Sequence, residues 1–477
     1  MLGIGVRAAA VRSVWALASF NMALACSSDE TPGKKPSPDT NAPPTDGGAG
    51  SGACGLDQKL VARRDSCSFS AGAMPADTLG DCAAAKTPIE HIVVIMQENR
   101  SFDQYFGHLP GHGQDDVDVP ASGAANPGTA DGGGASLPWF HESRYCVEDT
   151  DHGWVASHGQ YNGGKNDGFA VTNRTTNDPT GARALGYYEQ SDIPFYYGLA
   201  SAFATSDRYF CSVLGPTYPN RMYLYGGTSF GIVTTDTNIL APPGAASLFR
   251  TMSDKNVDWK EYKSQIAGSL IFPDFATDPA QAAHYVDITE FAKDAAAGTL
   301  PAVAFVDPTF LGKAWVENDE HPPADIQLGE QFVSEQVQAL LKSPEWKSSA
   351  LFITYDEHGG LYDHVPPPEA CPPDDTPPRS NPELGGFDRL GFRVPLIVVS
   401  PYAKRHFVSH VVHSHTSILR FIEANLGLPA LTGRDANSDA LYDLFDFSSP
   451  PRLDVPDLAQ PVLSDAGMSQ CMSDFPN

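Results

Sequence analysis

Four short runs of apolar, mostly β-branched residues set the strongest limit on how this chain folds. They are Ile92–Met96, Val303–Val306, Leu351–Tyr355 and Leu396–Val399. None alternates with polar residues, so each predicts a strand buried on both faces rather than one lying half in water. Between them stand helical patterns, notably Gly329 to Leu341 and Ser417 to Asn425. Strands alternating with helices predict an α/β fold, a mainly parallel doubly wound sheet flanked by helices. Two further stretches, Ala121 to Ser136 and Pro366 to Gly386, predict long loop insertions, either with room for a short edge strand. With 41% apolar residues, 477 positions suffice for one large core carrying such insertions.

The ends of the chain read differently. Residues 1–26 predict an export signal, with Arg7 and Arg12 ahead of an apolar stretch from Ser13 to Ala25. Ala23-Leu24-Ala25-Cys26 resembles a bacterial lipoprotein cleavage box, which would leave Cys26 lipidated and the protein anchored to a membrane. The alternative is an ordinary signal peptide with a free Cys26. Either reading predicts an exported protein, held in the cell envelope or outer membrane, or secreted. Residues 27–53 are rich in Pro, Gly, Ser and Asp and lack large apolar side chains, the composition of a disordered linker. One folded domain is expected over 54–447, followed by a polar C-terminal tail over 448–477. Beyond Cys26 seven cysteines remain, so at most three intrachain disulfides form, and Cys211, in an apolar run, is the expected buried free thiol. The formal charge of −27 repels phosphate backbones, which excludes nucleic acid as an electrostatic partner and favours a zwitterionic or small soluble substrate.

Ligands of open α/β sheets bind outside the carboxyl ends of the strands, so the residues just after each run matter most. Ile92–Met96 is followed by Gln97, Glu98 and Asn99; Val303–Val306 by Asp307; Leu351–Tyr355 by Asp356, Glu357 and His358. Paired hard oxygen donors recurring at one sheet edge point to a divalent metal ion rather than to ordinary polar strand ends. Thr217 follows Gly215-Pro216 and precedes a short helical stretch. Its position alone suits a helix cap, and equally a hydroxyl placed at the positive end of a helix dipole.

Four strings carry a more specific resemblance: IEHIVVIMQENRSFDQYFG from Ile89, GPTYPNRMYLYGGTS from Gly215, ITYDEHGGLYDHVPPP from Ile353, and DRLGFRVPLIVVSPYAKRHFVSH from Asp388. In this order they resemble the bacterial phospholipases C and related acid phosphatases, a family of the alkaline-phosphatase-like superfamily. The resemblance implies a catalytic domain with one divalent metal ion held by Glu98, Asn99, Thr217, Asp356 and Glu357. It implies Thr217 as nucleophile through a phosphothreonine, His152 and His321 at the phosphoryl oxygens, and Asn220 and His358 near the substrate. The expected substrate is a phospholipid such as phosphatidylcholine, or another small phosphate ester. Alternatives are an acid-phosphatase-type phosphomonoesterase using the same residues, and a catalytically inactive ligand-binding lipoprotein. His364 is expected to brace its loop. His406, His410, His413 and His415 are expected to pack before a helix rather than to bind metal. Trp139, Trp154, Tyr161, Tyr187, Tyr188, Tyr196 and Tyr197 offer either aromatic faces for a choline cation or core packing.

Overall fold

In the computed structural model, which describes residues 58–80, 87–129, 134–235 and 239–476, all four apolar runs lie in one eight-stranded sheet. Its strands in chain order are β1 (His91–Gln97), β2 (Ala204–Ser206), β3 (Trp259–Lys263), β4 (Tyr285–Asp287), β5 (Val303–Asp307), β6 (Ser349–Tyr355), β7 (Leu396–Val399) and β8 (Phe407–Ser409). The spatial order is β8-β2-β7-β6-β1-β5-β3-β4. Pairing is parallel from β6 through β1, β5 and β3 to β4, and between β2 and β8; only β7 runs antiparallel to its neighbours β6 and β2. The sheet is thus mixed and mostly parallel, as expected.

Every residue of β5, β6 and β7 is buried, as is all of β1 after His91. The physical reason is cover on both faces. The longer helices are α1 (Trp154–Tyr161), α2 (Pro194–Ala202), α3 (Thr217–Gly226), α4 (Thr289–Ala297), α5 (Ile326–Leu341), α6 (His415–Leu426) and α7 (Asp465–Asp474). Helix α5 packs against α2 and α4, while α6 packs against α3 and seats Phe421 edge-on to Phe352 of β6. Both sequence-read helices begin earlier than expected. Asp325 caps α5 by accepting from the Gln327 N–H, and Ser414 opens α6 with a capping box.

Because β6, β1 and β5 lie side by side in parallel register, their carboxyl ends share one edge of the sheet. That edge receives Glu98 and Asn99 from β1 and Asp356 and Glu357 from β6. Within the expected loop at 121–136, Ala125–Pro127 pairs with Ser136–Pro138 as a short separate ribbon.

The C-terminal segment departs from the expected polar tail. Residues 465–474 form α7, and Cys471 is buried in a disulfide to Cys146, so the segment is stapled onto the domain. The signal was a lone cysteine in a polar stretch. A second disulfide joins Cys67 to Cys371, and Cys211 is buried and free, as read from its apolar surroundings. The export signal, Cys26, the linker and the positions of Cys54 and Cys82 lie outside the described residues. No described helix is long and apolar enough to cross a membrane.

Candidate active site

The strand ends are tied before any ligand is considered. After β1 the chain turns at Asn99, whose φ of 58° lies in the left-handed region that asparagine tolerates. The Asp356 Oδ1 accepts from the backbone N–H of Asn99 at 3.2 Å and of Glu357 at 2.7 Å, joining the ends of β1 and β6. Gly359 completes the joint: its φ is 66°, and a Cβ there would come within 2.5 Å of the Asn99 carbonyl oxygen.

Thr217 arrives from the opposite side. It is the first residue of α3, with Pro216 in the capping position, so its hydroxyl is not spent on a helix cap. Instead the Oγ lies 3.5 Å from Asn99 Oδ1. Asn220 shapes the turn that delivers it. The Asn220 Oδ1 accepts from the N–H groups of Ser212 and Val213, and its Nδ2 donates to the carbonyl of Gly215 at 2.8 Å. Every polar atom of this fully buried side chain is thereby used by protein. The expected substrate contact is corrected to a brace, since no donor or acceptor remains for a ligand.

Arg221, one helical turn after Thr217 and so on the same face of α3, is the residue that sequence reasoning missed. Its Nε donates to Asp356 Oδ2 at 3.2 Å and its Nη2 to Glu98 Oε1 at 3.0 Å. Burial opposes its charge, but Glu98 and Asp356 outweigh burial and hold the guanidinium firmly protonated. One guanidinium cannot balance Glu98, Asp356 and Glu357. Burial pushes the Asp356 carboxyl up to about 6 against the pull of Arg221. Burial and then Asp356 push Glu357 well above the usual carboxylate range, and its buried Oε1 has no hydrogen-bond partner. A buried carboxylate oxygen without a donor, beside other hard oxygens and excess negative charge, suits a divalent cation. The expected oxygen donors stand at these strand ends, Glu98 and Asp356 joined through Arg221, Thr217 beside Asn99, and Glu357 next to Asp356.

Two histidines flank the threonine. The His152 Nδ1 is bonded to the Thr150 carbonyl at 2.7 Å, and the His321 Nδ1 to the Pro322 carbonyl at 2.6 Å. Each ring therefore turns its Nε2 away from its own loop, and the His152 Nε2 lies 3.4 Å from Asn99 Nδ2 and 3.7 Å from Glu357 Oε1. The rings meet edge to face at 5.6 Å. For His321, burial disfavours the charged form, but Glu98 and Asp149 overcome it and raise the pKa. The neighbouring Glu320 is the second missed residue. Fully buried, it accepts from the hydroxyls of Tyr105, Tyr196 and Tyr355 and from Gln97, and so anchors the turn that presents His321.

Several expected residues take other places. His358 is fully buried against Phe392, with its Nε2 bonded to Gln160 Oε1 at 2.7 Å; burial keeps it neutral, and it props the loop instead of touching substrate. The histidines near 410 do not converge. His406 bonds the Gly113 carbonyl, His410 pairs with Asp207, and His413 pairs with Asp443. Only His415 reaches the site, from behind, bonding the Asp356 carbonyl at 2.7 Å. His364 braces its loop against Asp103 and Asp118. Among the aromatic residues, Tyr188, Tyr196 and Tyr197 are core, and Trp139 stacks on His108 and tilts against Tyr187.

Thr217, Glu98, His152, Arg221 and His321 open into one cavity of about 370 Å³. Its inner wall is apolar, built from Tyr218, Ile239, Ile271 and Phe310. A second hollow shares His152 and is lined by Asp149 and Asp151.

Residues 89–429 match the model of the phosphoesterase family. Phospholipase C B of Mycobacterium tuberculosis is 36% identical over 439 residues, covering 81% of this chain and 83% of its own. Non-specific phospholipase C1 of Arabidopsis thaliana is 30% identical over 391 residues, covering 78% and 73%. Among solved structures, an alkaline phosphatase superfamily protein of Vibrio parahaemolyticus overlaps 81% of this chain and 78% of its own at 7% identity and a TM-score of 0.38, too loose an overlap to bear on function.

Proposed function

The chain belongs to the phosphoesterase family, and on that premise we propose that it is a metal-dependent phospholipase C that cleaves a phosphatidylcholine-like lipid through a phosphothreonine at Thr217. The observation that carries this reading is the composition of the cavity, where Thr217 and the two histidines face an apolar wall. A phosphomonoester needs only the polar half, whereas a diglyceride leaving group also needs apolar cover. The names carried by the mycobacterial and plant relatives support the same reading.

In the proposed reaction the Thr217 hydroxyl gives its proton to solvent and its Oγ attacks phosphorus in line, helped by the positive end of α3. The bond from phosphorus to the glycerol oxygen breaks. His321, held by Pro322 and Glu320, gives its proton to that oxygen, so that diglyceride leaves as the alcohol. His152 donates to a phosphoryl oxygen as charge builds. Water then attacks the phosphothreonine, freeing the phosphorylated head group and returning the Thr217 hydroxyl. A divalent cation held by the oxygen donors named above would neutralise phosphoryl charge and ease ionisation of the hydroxyl. A cationic head group would lie toward Asp149 and Asp151, in the hollow that shares His152.

Turnover of p-nitrophenylphosphorylcholine against p-nitrophenyl phosphate, before and after dialysis with EDTA, tests this reading. Preference for the diester, lost on chelation and restored by a divalent cation, is the expected result. Preference for the monoester would move the protein to the acid-phosphatase side, and indifference to chelation would remove the metal from the scheme. A second outcome concerns the acid role. His321→Ala should cost about 10²–10⁴-fold on phosphatidylcholine and much less on the p-nitrophenyl diester, because p-nitrophenolate leaves without a proton. Equal losses on both substrates would assign His321 to charge stabilisation alone.

A further inference from the structure

We infer that the mouth of this cavity is a docking surface for an uncharged or zwitterionic lipid bilayer, seated by exposed apolar side chains on three loops; the inference rests on the phospholipase reading above. Leu240, Ile266, Leu270, Leu311 and Val316 are between 37% and 57% exposed. The first four stand around the cavity that holds Thr217, and Val316 packs beside Gly312 on the same loop as Leu311. Scattered single apolar residues on a surface need no explanation, but a ring of them around one polar cavity does.

Two of the loops are joined by a specific clamp. The exposed Gln265 side chain donates to the Leu311 carbonyl at 2.8 Å and accepts from the Leu311 N–H at 3.0 Å. One glutamine thus satisfies both backbone groups of a loop tip and holds Leu311 beside Ile266. The tips form a joined surface, not separate flexible fingers.

Charge chooses the occupant. The chain carries 58 acidic residues, yet residues 239–246 and 264–272 contain none, and on the third loop Glu317 follows Val316 beside Gly312. Lys313 on the third segment lies 4.8 Å over the Trp315 ring and donates to the Pro476 carbonyl, so this stretch of the rim is fixed to the segment around α7. With a net charge of −27, the body of the protein repels anionic surfaces, while this rim offers no repulsion to a neutral one. A lipid lifted from such a surface would enter with its acyl chains against the rim and its phosphate toward Thr217.

The test uses the full chain, sedimentation with phosphatidylcholine vesicles, and turnover of both vesicular lipid and p-nitrophenylphosphorylcholine. In the double variant Leu270→Ser/Leu311→Ser, vesicle binding and vesicular turnover should fall about tenfold or more. Turnover of the soluble diester should stay within about twofold, which also reports that the variant is folded. Gln265→Ala should show the same split to a smaller degree. Vesicle binding unchanged by the double variant would overturn the docking surface, and so would an equal loss on soluble and vesicular substrates. Failure of the phospholipase reading looks different, because wild-type protein would then bind vesicles through the rim while turning over neither substrate.

Discussion

Replacing Thr217 with alanine should lower kcat/KM for a choline diester at least about 10³-fold while leaving the fold intact, since removing a covalent nucleophile leaves only binding and oxyanion stabilisation. The expectation rests on geometry as well as on type. The Thr217 Oγ makes one long contact to Asn99 at 3.5 Å and caps no backbone group, so its loss disturbs no strong hydrogen bond. Were Thr217 merely structural, the variant would lose about 1 kcal/mol of stability and keep its activity. Thr217→Ser should retain a measurable rate, because the hydroxyl survives with a looser rotamer. Intact-mass analysis of wild-type enzyme quenched in acid during turnover should show the added phosphoryl group on Thr217. Full activity in Thr217→Ala would end the phosphothreonine mechanism.

The second large effect lies in a buried ion cluster behind the site. Arg393 is fully buried; its Nη2 donates to Asp103 Oδ1 at 2.6 Å and its Nε to Asp363 at 2.9 and 3.1 Å. Its Nη1 donates to the carbonyls of Asp118 and Asp207. One guanidinium thus ties the helical turn after β1, the loop after β6 and the loop after β2. Arg393→Met should cost about 3–5 kcal/mol in chemical denaturation, because Asp363 stays buried without a cation and Asp103 keeps only His364. The loss should depend on pH. Burial already pushes Asp363 up to about 6 with Arg393 in place, and removing the arginine takes away the largest opposing influence. A folded-state pKa above the unfolded one means that the native state binds more protons. The variant is therefore penalised least below the unfolded carboxyl pKa and progressively more as pH rises through the folded one. A loss below about 1 kcal/mol at neutral pH would show that the cluster relaxes or admits water.

Much of this was legible in the chain, for reasons that differ by element. The strands β1, β5, β6 and β7 could be read because burial on both faces leaves no polar alternation. Glu98, Asn99, Asp356 and Glu357 were legible in turn, since parallel neighbours must end at one edge and these residues stand just past two such ends. The strands β2, β4 and β8 have three residues each and carry no period. Strand β3 reads WKEYK, and its Glu261 is fully buried one strand from the sheet's edge, bonded to Ser269, where a sequence reading expects solvent. Asn220 and His358 were placed by proximity to the motifs, but adjacency in sequence does not say which way a side chain points. Arg221 was within reach. It stands four positions after Thr217 on a helix, and a cation there should have been sought against the carboxylates already named. Glu320 offered no such signal, because its partners Tyr105, Tyr196 and Tyr355 come from three distant segments.

The staple between Cys146 and Cys471 makes the rim sensitive to redox conditions in a way that the strand ends are not. It buries Cys471 beside Ala314, on the loop that carries Leu311, so one rim of the cavity leans on the segment around α7. The bond spans 325 positions and joins segments far apart in sequence. The residues at 98, 99, 217, 356 and 357 are joined by hydrogen bonds and an arginine, whereas the rim is held by a covalent bond that needs an oxidant to form. A reductant should therefore loosen the approach to the cavity while leaving the strand ends joined.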